Sequence, residues 1–414
     1  MDIGIKFTNL EMFENKIVNK KDDALHIIHE LRNSNSKMTG WVDYPCEQRD
    51  DEINHILEVA DYVRKNAELM VVIGVGGSYI GAKAAIEALA VDPNDNCVDV
   101  EFAGINLCTN YHKRILNKIK EKETIICVIS KSGNTLEVQV AFHIIKNALL
   151  DKYDDLEEVN RRIITITDKK DGDLRKHTEE NGYISFEIPD NIGGRYSIMT
   201  PVGLFPMAVA GIDIKDFLRG GKTASKSKLW GNTASNYAIV RSLLEEDDGI
   251  NVEIIETFDT KFKYTEEWIK QLYGESEGKN GRGLFPTSMN FSTDLHSLGQ
   301  FLQDGKQIFF ETILFSEKID EGIQFNMPNM NCDSLGSLNE IARISAIEAH
   351  KKRGIPIVGI SIPSITPYYY GQLIYFLEMT CAITANLMEV NPFNQPGVEA
   401  YKNEIKARII KGDR

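Results

Sequence analysis

Apolar runs that alternate with helix-like segments dominate the first half of the sequence. Short Val/Ile-rich runs lie at 69–75, 98–105, 124–129 and 162–167, and segments with helical periodicity separate them. Runs that are apolar throughout, rather than at every second residue, are typical of parallel strands covered on both faces. The repeated strand–helix order therefore predicts a doubly wound α/β sandwich.

The second half shows the same alternation after a helical stretch at 198–246. Strands are predicted at 252–258, 307–314 and 355–362. Helices are predicted at 265–272, 295–303, 338–352, 369–388 and 397–410. We therefore expect an α/β protein with mainly parallel sheets, in which the helical stretch at 198–246 is the best place for a change of domain.

Acidic residues outnumber basic residues in this chain. It contains 47 Lys and Arg against 61 Asp and Glu, which gives a formal net charge of −14. Binding to a nucleic-acid backbone relies on clustered Lys and Arg, so we expect no nucleic-acid partner. An anionic small-molecule substrate would need a local positive pocket within this negative body.

Cysteine spacing and hydropathy both indicate a reduced, cytoplasmic protein. The six cysteines form no C-x-x-C pair, so neither a disulfide framework nor a zinc knuckle is expected. The sequence contains no run of about 18 uninterrupted apolar residues, so no membrane span is expected. The N-terminal residues lack a basic region followed by an apolar one, so we expect no secretory signal.

A glycine-rich turn, GVGGSYIG at 74–81, links the first predicted strand to the next helix. Such a turn directs backbone N–H groups and a helix N-terminus at an anion. A dinucleotide-binding turn would need glycine at position 79, where Tyr79 stands, and no acidic residue closes the second strand. A purely structural tight turn remains an alternative, but the binding of another kind of anion is favoured.

A second polar loop, SKSGNT at 130–135, follows the strand predicted at 124–129. It places hydroxyls, an amide and one lysine before a helix, where the helix dipole is positive. Taken alone, a Ser/Thr-rich N-cap explains it equally well. Because this loop and the glycine-rich turn lie at the same end of neighbouring strands, a phosphate site is favoured.

The sequence Gly221-Lys222-Thr223 is similar to the end of a nucleotide-binding P-loop. Asp216 occupies the position of the required first glycine, and the segment follows a helix rather than a strand. We therefore predict an ordinary loop here.

Five further side chains have chemistry suited to a catalytic site. Arg195 follows two glycines and carries a charge that does not titrate. Glu275 and Glu277 are two residues apart in one helix, so at most one is expected to point into a site. His296 could act as an acid or base near neutral pH. For each of these residues and for Lys402, a solvated or capping role is the simpler interpretation when the residue is taken alone.

Five segments, in order, resemble the phosphoglucose isomerase (glucose-6-phosphate isomerase) family in its shorter bacterial form. They lie at 74–81, 130–137, 193–197, 270–296 and 393–402. The strings GGRYS and FNQPGVEAYK are the most specific of these. The resemblance implies two α-β-α sandwich sugar isomerase (SIS-type) domains with mainly parallel sheets plus terminal helices, divided into residues 1–212 and 213–414. It also implies reversible conversion of glucose 6-phosphate to fructose 6-phosphate through an enediol(ate), in glycolysis and gluconeogenesis, without metal or organic cofactor.

The same resemblance implies roles for single residues. Glu275 would move a proton between C1 and C2 of the sugar, and Arg195 would stabilise the intermediate. His296 and Lys402 would serve ring opening. The implied substrate-binding residues are Gly77, Ser78, Ser130, Lys131, Ser132, Asn134, Thr135 and Gln395. Relatives are dimers or tetramers in which the histidine reaches the partner's site, so a homodimer, possibly a tetramer, with His296 contributed across the interface is expected.

The sequence departs from the family pattern at two positions. Asn134 stands where relatives usually have threonine, and Val138 where bacterial relatives often have proline. Since asparagine can still donate to a phosphate, we expect an altered affinity rather than a lost function. The alternative function is a non-catalytic sugar-phosphate-binding regulator of the same fold. It is disfavoured because such regulators lose the catalytic groups that this chain retains.

Overall fold

Two five-stranded sheets form the frame of the protein. The computed structural model describes residues 2–34, 38–47, 49–89, 98–227, 233–247, 249–328 and 330–411. The strands within these ranges are Gly4–Thr8 (β1), Leu69–Ile73 (β2), Asp99–Ala103 (β3), Thr124–Ile129 (β4), Ile163–Thr167 (β5), Ile184–Glu187 (β6), Val252–Thr257 (β7), Phe285–Asn290 (β8), Phe309–Ser316 (β9) and Ile357–Ile362 (β10).

Helices cover both faces of the sheets. Within the same ranges they are Glu14–Asn33 (α1), Asp50–Asn66 (α2), Ile80–Leu89 (α3), Thr109–Glu121 (α4), Leu136–Tyr153 (α5), Leu156–Arg161 (α6), Asp173–Asn181 (α7), Pro201–Val209 (α8), Ile214–Ser225 (α9), Ala234–Glu245 (α10), Lys263–Glu277 (α11), Gly299–Asp304 (α12), Leu335–Arg353 (α13), Pro367–Leu387 (α14) and Val398–Lys411 (α15). Among the described helices, none is both long and apolar enough to cross a membrane.

The first sheet is parallel throughout and has the strand order β3-β2-β4-β5-β6. The chain leaves β2 towards β3 on one side and then returns to form β4 on the other. The carboxyl ends of β2 and β4 therefore flank a topological switch point, where ligands of doubly wound sheets bind. The glycine-rich turn at 74–81 and the polar loop at 130–135 follow these two strands, as the sequence predicts.

The second sheet has the order β1-β10-β9-β7-β8, and only β1 runs antiparallel to its neighbour. Two mainly parallel sheets confirm the predicted fold class. Strand β1, however, pairs with β10, from Gly4 opposite Ser361 to Thr8 opposite Ile357. It therefore belongs to the second sheet, although it falls within the predicted first domain of 1–212, because it covers the open edge of β10. The division between residues 212 and 213 otherwise stays a prediction.

One continuous apolar core joins the two sheets. Met70 and Val72 of β2 contribute to it from the first sheet, and Phe310 of β9 and Val358 of β10 from the second. Helix α14 lies in this core, and every residue from Tyr370 to Ala385 is buried. A helix that is enclosed on all sides has no solvent face, which explains its apolar sequence.

Within the described residues, no disulfide crosslinks this core. The five cysteines within the described residues are free thiols, and Cys97 lies outside those residues.

The prediction of a loop at Gly221-Lys222-Thr223 is wrong, because these residues form part of α9. The Asp213 side chain caps this helix by accepting from the backbone N–H of Asp216 at 3.0 Å. Gly220, in the middle of α9, allows this helix to pack closely against α14 and does not form a turn. A Cβ atom on Gly220 would lie 1.9 Å from the carbonyl oxygen of Tyr368, at the start of α14.

Substitution of Gly220 tests this contact. Gly220→Ala is expected to lower the free energy of unfolding by about 1–3 kcal/mol, because the two helices must move apart. Gly299→Ala is the matched control, since its Cβ would meet nothing closer than 3.9 Å. Urea unfolding of both variants measures the difference. Equal stability of the two variants would contradict the proposed packing role.

Candidate active site

Arg195 is the centre of the candidate site. It lies in a 3-10 turn, Gly194–Tyr196, that follows β6, and it is only 4% exposed. Its Nε donates to Oγ of Ser276 at 2.8 Å. Its Nη1 donates to Oε1 of Gln395 at 3.0 Å and to Oε2 of Glu275 at 3.3 Å. The structure thus brings together three residues that the sequence analysis assigned to one site.

The remaining guanidinium nitrogen of Arg195 binds backbone. Its Nη2 donates to the carbonyl oxygens of Pro392 at 2.5 Å and Asn394 at 3.2 Å. The five N–H groups of an arginine therefore have five acceptors here. These acceptors come from α11 and from the segment that leads into α15, so a single side chain joins the first sheet to two distant segments.

Glu275 and Glu277 point in different directions from the last turn of α11. The Glu275 side chain is 35% exposed and faces Arg195. Glu277 is buried and accepts from Nη1 and Nη2 of Arg241 at 2.5 and 2.9 Å. Burial raises the pKa of Glu277, and the charge of Arg241 opposes that rise. As the sequence predicts, the two side chains do not share one direction, and of the two only Glu275 faces Arg195.

The glycine-rich turn lies directly against this cluster. A Cβ atom on Gly77 would lie 2.2 Å from the backbone carbonyl of Gly194, beside Arg195. A Cβ atom on Gly76, which has φ +58°, would lie 2.9 Å from Nε2 of Gln271 on α11. The same amide donates to Oε1 of Glu275 at 3.4 Å. These glycines therefore allow the loop to approach both the Arg195 turn and the helix that carries Glu275.

The polar loop after β4 is held by its own hydroxyls. Oγ of Ser130 accepts from the backbone N–H of Gly133 at 3.0 Å, and Oγ of Ser132 accepts from that of Asn134 at 3.2 Å. Each hydroxyl proton is still available to a ligand. Thr135 occupies the N-cap position of α5, but its side chain makes no capping hydrogen bond. The loop thus presents hydroxyl groups at a helix N-terminus.

Lys131 extends from this loop towards the segment after β6. Its Nζ donates to the carbonyl oxygen of Asp190 at 3.1 Å and lies 3.6 Å from the Asp190 carboxylate. Both side chains are exposed, so solvent screening leaves this pair weak and an anion can replace it.

Val138 is buried in the core between the first sheet and α5, so this departure from the family pattern concerns packing.

His296 lies away from Glu275 within one chain. It is exposed in a 3-10 turn, Thr293–His296, that follows β8. The predicted helix begins only after it, at Gly299. Glu275, in contrast, lies near the start of β8, because a Cβ atom on Gly274 would lie 3.6 Å from Pro286. The six residues of β8 span about 20 Å, so the structure does not bring His296 to Glu275.

Lys402 is also separate from the cluster in this chain. It lies on α15, and none of the described residues of this helix is buried. Its Nζ is 3.2 Å from the Glu399 carboxylate, on the same exposed helix. Only the segment that leads into α15 contacts Arg195.

The sequence analysis missed two side chains of the site, Ser276 and Lys279. Nζ of Lys279 donates to the carbonyl oxygens of Ser276 at 2.6 Å and Asn391 at 2.5 Å. Both residues stand inside the segment at 270–296, so their position beside Glu275 was the available signal. Any residue can supply a backbone carbonyl group, so the sequence does not reveal which carbonyl groups Lys279 binds. No group of three or more His, Cys, Asp or Glu that could hold a metal occurs in the described part of the chain.

Comparison with solved structures defines the class of fold. A hypothetical protein from Thermus thermophilus superposes with a TM-score of 0.87 at 24% identity, over 98% of this chain and 100% of that chain. A glucose-6-phosphate isomerase from Chlamydia trachomatis superposes with a TM-score of 0.80 at 18% identity, over 96% of this chain and 84% of that chain. The fold is therefore the one found in these proteins.

Comparison of sequences defines the family. The phosphoglucose isomerase family model matches residues 53–319. The glucose-6-phosphate isomerase of Clostridium tetani is 40% identical over 94% of this chain and 90% of that protein. That of Alkaliphilus metalliredigens is 41% identical over the same shares. The chain belongs to the phosphoglucose isomerase family.

Charge reversal at Lys131 tests the position of the anion site. Lys131→Glu is expected to raise the Michaelis constant for a sugar phosphate about tenfold, because a charged hydrogen-bond donor is replaced by a repelling carboxylate. Lys169→Glu is the control, since Lys169 is exposed and pairs with Glu187 at 3.1 Å. Steady-state kinetics measure both variants. An unchanged Michaelis constant for Lys131→Glu would show that the anion site does not include Lys131.

Proposed function

We propose that this chain catalyses the reversible isomerisation of D-glucose 6-phosphate to D-fructose 6-phosphate through an enediol(ate), a step of glycolysis and gluconeogenesis. Its membership of the phosphoglucose isomerase family supports the reaction. The observation that carries the assignment of the site is the contact between Arg195 and Glu275, with Gln395 beside them. The cytoplasmic location stays a prediction.

Glu275 is the proposed base that moves a proton between C1 and C2. Its carboxylate is partly exposed, so a substrate can reach it, while Nη1 of Arg195 holds one oxygen and the Gln271 amide approaches the other. Arg195 would stabilise the negative charge that develops on the intermediate. The contact to Glu275 at 3.3 Å is the longest of its five hydrogen bonds, so Nη1 is the donor that can best be shared with a substrate oxygen.

The phosphate of the substrate would bind at the switch point of the first sheet. The N-termini of α3 and α5 follow β2 and β4 there, and both favour an anion. The proposed ligands are Gly77, Ser78, Ser130, Lys131, Ser132, Asn134 and Thr135. Binding of the phosphate, remote from the reacting carbons, would supply the energy that positions C1 and C2 over Glu275.

A homodimer, or a tetramer built from it, would complete the site with His296. Close to His296, Leu298 and Phe301 are 42% and 45% exposed. Helix α12 packs against α13, which exposes Ile341 and Ile344. Exposed apolar side chains of this kind are typical of permanent subunit interfaces. A second copy that covers them would bring His296 to the partner's Glu275, where His296 and Lys402 would open the sugar ring.

Neutralisation of the proposed base tests the reaction. Glu275→Gln is expected to lower kcat about 10³-fold, because general base catalysis is lost while the shape of the side chain is kept. Sugar-phosphate binding, measured by calorimetry, should remain. Glu267→Gln, on the same helix, is the control and should keep wild-type activity. Formation of glucose 6-phosphate from fructose 6-phosphate in a coupled assay measures turnover.

Two outcomes would contradict this assignment. Turnover of Glu275→Gln near that of the wild type would show that another group is the base. A wild-type protein that binds the sugar phosphate without turning it over would favour the non-catalytic regulator.

Mixing two inactive variants tests the contribution of His296 across the interface. Subunits with Glu275→Gln and subunits with His296→Ala are unfolded and refolded together. A mixed dimer would hold one site with both original residues, so about a quarter of the wild-type activity is expected to return in a statistical mixture. If each chain supplied its own histidine, every site would lack one group and no activity would return.

A further inference from the structure

Lys279 closes a ring of hydrogen bonds around the candidate site. It follows the end of α11, and its ammonium binds the carbonyl oxygen of Ser276 on that helix and that of Asn391. Arg195 binds the hydroxyl of the same Ser276 and the carbonyl oxygen of Pro392, the next residue after Asn391. Two cations therefore hold the same two segments together from different sides.

We propose that Lys279 is a positioning residue, which fixes the end of α11 relative to the segment 391–395 and so sets the distance between Glu275, Arg195 and Gln395. This inference rests on the isomerase function proposed above. Glu275 precedes Ser276 directly, and Gln395 follows the segment that Asn391 begins. Loss of the lysine would remove the contact that holds both segments on one side, while the contacts of Arg195 on the other side would remain.

The surroundings of Lys279 make its charge sensitive to pH. Desolvation, and then repulsion by Arg195, lower its pKa to about 8. The other charged or titratable groups that face it are Cys381 on α14 and Glu277 and Glu275 on α11, and these act in the opposite direction. Since this pKa is lowered, Lys279 is an ammonium below about pH 8 and loses its charge above it. The charged form makes the stronger hydrogen bonds to the two carbonyl groups.

Two substitutions separate positioning from bulk stability. Lys279→Met is expected to lower kcat by about 10²-fold with a small change in the Michaelis constant, because a misplacement of about 1 Å at a reacting group has an effect of that size. Lys279→Arg keeps a cation that does not titrate and should restore much of the activity. Lys270→Met is the control, since Lys270 lies on α11 and pairs with Glu267 on its surface.

The pH profile of kcat is the deciding measurement. The wild type is expected to lose activity as the pH rises through about 8, and Lys279→Arg is expected to lack this alkaline decline. A decline that persists in Lys279→Arg, or a Lys279→Met variant with wild-type kcat, would overturn the role of Lys279. An arginine variant as impaired as the methionine variant would also overturn it. A wild-type protein without isomerase activity would instead overturn the proposed function.

Discussion

The candidate site depends on the hydrogen bonds made by the buried guanidinium group of Arg195. Removal of a charged group from water is costly, and the cost is recovered only when each donor finds a well-placed acceptor. Here the acceptors are a hydroxyl, an amide, a carboxylate and two backbone carbonyls, and they come from segments 80 to 200 residues away from Arg195. The two sheets, their shared core and the glycines that let the loops approach all serve to keep these acceptors in place.

A second buried arginine fixes the helix that carries the proposed base. Arg241 binds Glu277 through two nitrogens and Glu253 through Nε at 2.8 Å. Glu277 therefore points into the core, and Glu275, two residues earlier, must point the other way, towards Arg195. Removal of one partner from such a buried network leaves an uncompensated charge, which costs about 3–5 kcal/mol. The orientation of the proposed base, Glu275, is thus determined by the contacts of Glu277 on the buried side of α11, which no substrate reaches.

The sequence predicted best the features that periodicity and strand ends encode. Val/Ile-rich runs located strands β2 to β5 of the first sheet. The loops after β2 and β4 could be placed together because parallel strands end at one edge. Long-range close contacts were not predictable. Gly220 lies beside the residues that were predicted as a loop, and nothing in the sequence around it shows that Tyr368 packs against it. The carbonyl groups of Pro392 and Asn394 bind Arg195 through backbone, so their side chains carry no signal. The separation of His296 from Glu275 could not be predicted either, because it depends on where β8 lies in the second sheet.

The net charge of −14 and an anionic substrate are compatible because the candidate site gathers positive charge in a few side chains. Arg195 is held by five acceptors, so its charge stays in one position beside Glu275. Lys131 rests on the exposed Asp190 and can turn to a phosphate at little cost. Lys279 is different, because burial, and then repulsion by Arg195, lower its pKa. A second cation beside a buried arginine is unfavourable in itself. Its presence is explained by the carbonyl groups of Ser276 and Asn391, which need a donor where α11 meets the segment that carries Gln395.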